Sequence, residues 1–133
     1  MTLVDSNVPM YLVGAAHPHK TDAQLILERL IAAGDRLVTS AEVLQEILHR
    51  YTAIGKRQAI GPALQVLLDI VDEVLPIEKA DALRASEIVQ HRVSMSARDA
   101  LHIAVMERHG VRTILSFDKD FDKWPGLRRL HRV

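Results

Sequence analysis

The side chains of this chain that could do chemistry are carboxylates standing at the ends of short apolar runs. Asp5 closes Thr2-Leu3-Val4, and Asp118 and Asp120 follow Thr113-Ile114-Leu115-Ser116. Glu42 and Glu46 lie in the two helical turns after Leu37-Val38-Thr39, four residues apart and so on similar sides of a helix. Asp99 stands near the start of another helical stretch. Unit charges 4 Å apart repel by about 4 kcal/mol at an effective dielectric of 20. Such a group persists only by raising its own pKa values or by enclosing a divalent cation. Oxygen donors without thiolates or paired histidines select Mg²⁺ or Mn²⁺ over zinc. Magnesium keeps waters and leaves room for a substrate phosphate, which is the setting for phosphodiester hydrolysis.

Each acid also has an ordinary reading. Asp99 follows Ser96 by three and could complete a capping box. Glu42 suits the helix dipole. Asp118, Asp120 and Asp122 alternate with Lys119 and Lys123 as a solvated turn would. Glu46 is too deep in its helix to cap anything. Asp5 is hardest to explain away, because a carboxylate finishing a buried strand needs partners or a cation.

Other chemistries are excluded. The chain has no cysteine, so disulfides, thiol nucleophiles and thiolate zinc sites are out. Its seven histidines (His17, His19, His49, His91, His102, His109, His131) fall in no zinc motif. No G-x-S-x-G elbow and no phosphate-cradling glycine loop is present. Seventeen basic and seventeen acidic residues give zero net charge, so any nucleic-acid contact must be local.

These residues need a scaffold, and the chain order implies one. Strands are expected at Thr2–Asp5, Leu37–Thr39, Glu73–Ile77 and Thr113–Ser116, with a fifth at Leu127–Leu130. Helices are expected after Pro9 up to Gly14 and from a Thr21/Gln24 capping box to Gly34. Further ones run from the Ser40 cap to about Tyr51, after Gly61-Pro62, from Ala80 to Val93, and from Ala97 to His109. The alternation predicts an α/β fold with a mostly parallel central sheet between helical layers, one domain over residues 1–133. Ligands bind beyond the carboxyl ends of such strands. Only three residues separate the last helix from strand four, so the two run antiparallel. A helix of about 13 residues, roughly 20 Å long, then returns Asp99 to the same edge as Asp5 and Asp118. The acidic, unbasic N-terminus is unlike a secretory signal, and the longest uncharged run is too short and broken to cross a bilayer. The expectation is a cytoplasmic protein without a membrane anchor.

Four ordered segments then resemble the PIN-domain nucleases: Leu3-Val4-Asp5-Ser6-Asn7, Thr39-Ser40-Ala41 leading to Glu46-Ile47-Leu48, Arg98-Asp99-Ala100-Leu101-His102-Ile103-Ala104, and Ile114-Leu115-Ser116-Phe117-Asp118-Lys119-Asp120-Phe121. Length and motif order are similar to the toxin subunits of bacterial VapBC toxin–antitoxin pairs. The resemblance implies a Mg²⁺- or Mn²⁺-dependent endoribonuclease, commonly a homodimer, held inactive by a VapB-like antitoxin. By position, Asp5, Glu46, Asp99 and Asp118 match the acidic tetrad, with Asp5, Asp99 and Asp118 as metal ligands. Asn7 and Ser116 match the accompanying polar residues, while Asp120 competes with Asp118 as the fourth acid and Glu42 is an extra carboxylate. Alternatives are a nuclease of RNA maturation or DNA processing, and a catalytically silent binding module on the same fold.

Arg50, Lys56 and Arg57 in an acid-free stretch, and Arg128 and Arg129 in the tail, are candidates for a phosphate-binding rim, with solvated surface cations or partners of an acidic antitoxin as the alternative for each. Two Phe, two Tyr and one Trp offer no evident stacking platform for bases. Phe121 is expected to be buried, and Trp124 to pack the tail.

Overall fold

In the computed structural model, which describes residues 1–133, short hydrophobic strands are laid side by side and long amphipathic segments cover them. The elements are β1 (Thr2–Val4), α1 (Asn7–Val13), α2 (Pro18–Ala32), β2 (Leu37–Ser40), α3 (Ala41–Ala53), α4 (Ile60–Ile70), β3 (Glu73–Leu75), α5 (Lys79–His91), α6 (Ala97–Arg108), β4 (Thr113–Leu115) and β5 (Arg128–Leu130). The sheet order is β3-β2-β1-β4-β5. Every pairing is parallel, Leu3 facing Val38 on one side and Ile114 on the other. The expected fifth strand therefore completes a wholly parallel sheet rather than adding an antiparallel edge.

Parallel strands buried on both faces read as continuous apolar runs, and β1 and β2 are buried along their whole lengths. Right-handed crossovers place α1 to α4 and α5–α6 on opposite faces, because strand order reverses between β1 and β4. Two buried clusters follow. The larger gathers Leu3, Val4, Val38, Ile47, Leu67, Ile114 and Phe121 among others; the smaller joins Ala85 and Ile88 of α5 to Ala100, Ile103 and Ala104 of α6. No helix is long and apolar enough to cross a membrane.

Caps explain most boundaries. Ser40 accepts from Val43 N at 3.2 Å and starts α3, and Ser96 accepts from Asp99 N at 3.1 Å and starts α6. The expected Thr21 cap is wrong. Pro18, with its fixed φ, takes the first helical turn, and His17 is the cap, its ring nitrogen accepting from His19 N at 3.0 Å. The buried face of α2 is accordingly Ala23, Ile26 and Leu27, while Leu25 and Ile31 are exposed. Gly34 ends that turn at φ +72°, a left-handed conformation that favours glycine.

Candidate active site

Reversal of strand order between β1 and β4 opens a crevice at the carboxyl ends of these two strands. Asp5 leaves β1 directly into it, and the loop after β4 delivers Ser116 and Asp118. From the helices, α3 supplies Glu46, while α6, capped by Ser96, brings Asp99 in its first turn and His102 one turn on. The cleft is lined by Asp5, Ser6, Asn7, Glu46, Arg50, Arg98, Asp99, His102, Asp118 and Phe121. The four acids of the proposed tetrad thus meet, as the spacing argument expected.

Asp5 is 4% exposed. Its carboxylate accepts from Ser6 N at 2.8 Å, Ser116 Oγ at 2.6 Å and Asn7 Nδ2 at 3.4 Å. Burial pushes its pKa up, with the nearby Glu46 charge adding to the rise; His102 and the hydrogen bonds work against it. Ser116 is the hub of this side, since its hydroxyl also accepts from Asn7 Nδ2 at 3.2 Å and Asp118 N at 3.0 Å. Asn7 closes the loop by accepting from Phe117 N at 3.3 Å.

Glu46 is held at both oxygens, by Ser6 Oγ at 2.9 Å and by Nε2 of His102. Burial raises its pKa, yet the bond and charge of His102, the Ser6 bond and the Arg98 charge outweigh burial and leave it below the ordinary value. His102 is 1% exposed. Burial disfavours its protonated form, but Glu46, Asp5 and Asp99 together hold its pKa above the ordinary value. With Nε2 donating to a carboxylate, Nδ1 is left buried without a partner. On the other side, burial and the neighbouring Asp118 push Asp99 up to about 6. Oxygens of Asp99, Asp118 and Asp120 lie within 4.8 Å of one another, as do the ligand atoms of Asp5, Glu46 and His102.

The structure does not gather every candidate. Glu42 is half-buried on α3 and does not line the cleft. Asp120 reaches Asp99 and Asp118 with a carboxylate oxygen, but it is exposed, does not line the cleft and pairs with Lys123 at 3.0 Å, while its backbone N donates to Asp118 Oδ1 at 2.9 Å. Lys56, Arg57 and Arg128 are exposed and away from the cleft. Arg129 is no free cation. It forks onto Asp122 at 2.8 and 3.0 Å, donates to the Ser116 carbonyl at 3.1 Å, and its side chain is 5% exposed. It ties β5 to the loop after β4, so its charge is already spent. Only Arg50 of the five proposed substrate cations lines the cleft, beside Arg98, and neither forms an ion pair.

Three polar cleft residues were not among the sequence candidates: Ser6, which holds Glu46, and Arg98 and His102. The signal for the last two was present: His102 stands three residues after Asp99 and so on the same helical side, and Arg98 adjoins Asp99 in the first turn. Histidine outside a zinc motif had suggested only scattered positions.

An all-parallel sheet that gathers carboxylates at its switch point is the arrangement of an acid-centred α/β domain, and residues 2–127 match the PIN domain model. The chain is 58% identical over 130 residues to the ribonuclease VapC13 of Mycobacterium tuberculosis, covering 98% of this chain and 99% of that protein. It belongs to the PIN-domain family, among the VapC ribonucleases. Among solved structures it resembles VapC20 of Mycobacterium tuberculosis, described as a sarcin-ricin loop cleaving toxin, with TM-score 0.74 at 24% identity over 92% of this chain and 94% of that one. A toxin–antitoxin complex from Klebsiella pneumoniae is similar over 100% of both chains, with TM-score 0.70 at 18% identity.

Proposed function

We propose that this protein is a Mg²⁺- or Mn²⁺-dependent endoribonuclease, the toxin of a type II toxin–antitoxin pair acting on cellular RNA in the cytoplasm. The observation that carries the reading is the convergence of Asp5, Glu46, Asp99 and Asp118 on one cleft in a chain 58% identical to a ribonuclease. By family, its partners are a VapB-like antitoxin and a second copy of itself.

The donor set suits a hard cation. Asp5 and Asp99 are buried with raised pKa values because like charges and desolvation disfavour ionising them together, and a divalent ion relieves that penalty. All three ligands we assign, Asp5, Asp99 and Asp118, offer oxygen. His102 Nε2 is committed to Glu46 and does not make the site zinc-like. When bound, the ion supplies positive charge against the phosphate oxygens and acidifies water. The remaining work belongs to the chain. Ser116 and Asn7 orient Asp5, and Ser116 also anchors the backbone of Asp118. Glu46, kept ionised between Ser6 and His102, holds negative charge where a water must lose a proton. Arg50 and Arg98, unpaired at the rim, are placed to hold strand phosphates.

The test is cleavage of cellular RNA by the purified chain, with ends mapped after brief induction in cells. Cutting with Mg²⁺ or Mn²⁺, its loss in EDTA, and its loss in folded Asp5→Asn or Asp99→Asn are expected. Robust cutting in EDTA, or by Asp5→Asn, overturns the assignment.

A further inference from the structure

Three rings close in sequence and a fourth about a hundred residues on meet beside the loop that carries Ser116 and Asp118. Tyr11 comes from α1, His17 and His19 from the start of α2, and Phe117 from the loop after β4. His19 stacks on Phe117 with centroids 4.3 Å apart and planes 13° from parallel. Tyr11 meets Phe117 at 5.4 Å and His19 at 5.0 Å, both edge-on, and His17 at 4.8 Å. His17 and His19 are themselves 4.8 Å apart.

This cluster is continuous with the catalytic loop. Phe117 stands between Ser116 and Asp118, and its backbone N donates to Asn7, which lies one helical turn before Tyr11. Phe117 packs one side against the main core, yet the cluster is not enclosed by it: His17 is exposed and the other three rings are half-buried, whereas Phe121 and Tyr51 are the buried aromatic rings of the core. The cleft itself is polar apart from Phe121, so it suits phosphates and offers no wall to a base. A single RNA strand presents unstacked bases that aromatic side chains take up with little regard to sequence. The neighbouring groove combines Met10, Ala53 and Ile54 with His49, Arg50 and Arg98, so it continues the cationic side of the cleft and supplies no aromatic face to a base.

We propose that Tyr11, His17, His19 and Phe117 form a nucleobase-stacking subsite, which takes an unpaired RNA base next to the phosphate held in the cleft. The subsite rests on the ribonuclease reading above. It sets where along the strand the cleft closes, while the acids do the cutting.

The experiment uses Asp99→Asn protein, Mg²⁺, and an oligoribonucleotide containing the mapped cut site, with an abasic nucleotide stepped through each position. With the rings intact, one abasic position beside the cut weakens binding roughly 5- to 150-fold, the range expected for one lost base–aromatic stack. In the Phe117→Leu background, and separately in His17→Ser, that same step costs little, and the intact oligonucleotide binds more weakly. Leucine keeps apolar bulk, serine keeps the helix cap, and Phe117→Trp restores the positional effect. If every abasic position costs the same with and without the rings, the subsite does not exist. If ring substitutions weaken only the binding of a protein partner, the surface is a peptide seat and the proposal falls. Failure of the ribonuclease reading has a different signature: no position binds, and the unsubstituted chain cuts no RNA.

Discussion

Beside Asp99 two aspartates offer themselves, and their surroundings separate them. Asp118 lines the cleft, and its backbone is held by Ser116, whereas Asp120 is exposed and answers to Lys123. Asp118→Ala is therefore expected to abolish cleavage and Asp120→Ala to leave a measurable fraction, assayed at saturating Mn²⁺ and at limiting Mg²⁺. The opposite ranking under both conditions would move the fourth acid two residues on. Arginines separate in the same way. Arg98 is unpaired at the rim, so Arg98→Ala should weaken RNA binding and flatten its salt dependence by about 0.7 in log–log slope for a single strand. Arg129 is locked between Asp122 and the Ser116 carbonyl. Its alanine variant should instead lower the melting temperature and leave the salt slope alone, which titrations at several salt concentrations resolve.

Among the elements, α5 and α6 are pinned together at one end by a buried acid. Asp81, 1% exposed, accepts from Glu78 N at 2.8 Å at the start of α5. It also receives the fork of Arg108 from the end of α6 at 2.8 and 2.9 Å. The Arg108 bond holds its pKa below the ordinary 3.8, burial notwithstanding. A depressed folded pKa gives stability that is complete above the unfolded value and is lost as pH falls through the folded one. Asp81→Asn is expected to cost about 1–2 kcal/mol at neutral pH. As pH falls below 3.8 and through the lower folded pKa, its stability should converge on that of the unsubstituted chain, as denaturant melts across pH 2–7 will show. Asp81 was not singled out in the sequence, because its importance depends on Arg108, 27 residues away. The caps Ser40 and Ser96 were legible, since capping is local. Thr21 misled because its spacing to Gln24 imitates a capping box, whereas Pro18 starts the helix earlier with His17 as the cap.

For the whole molecule the acid cleft is a stability liability, since burial and neighbouring carboxylates raise the pKa values of Asp5 and Asp99, and a bound cation would relieve it. Mn²⁺ binding the folded chain alone should raise its stability by about 2.7 kcal/mol at a hundred times the dissociation constant. Calorimetric melts should show this rise in the unsubstituted chain and its loss in Asp99→Asn; an equal rise in both would place the ion elsewhere. What the sequence determined by itself was whatever local pattern encodes: strand and helix order, the parallel sheet, and the delivery of Asp5, Glu46, Asp99 and Asp118 to one edge. Parallel strands joined by helices have few topologies, so strand-end residues are forced together. Only the tertiary structure decided which side chains touch there. It enlisted His102 for Glu46, tied up Arg129, left Glu42 outside, and stacked His19 on Phe117. Those pairings, like that of Ser116 with Asp5 across 111 residues, depend on side-chain packing that no local spacing specifies.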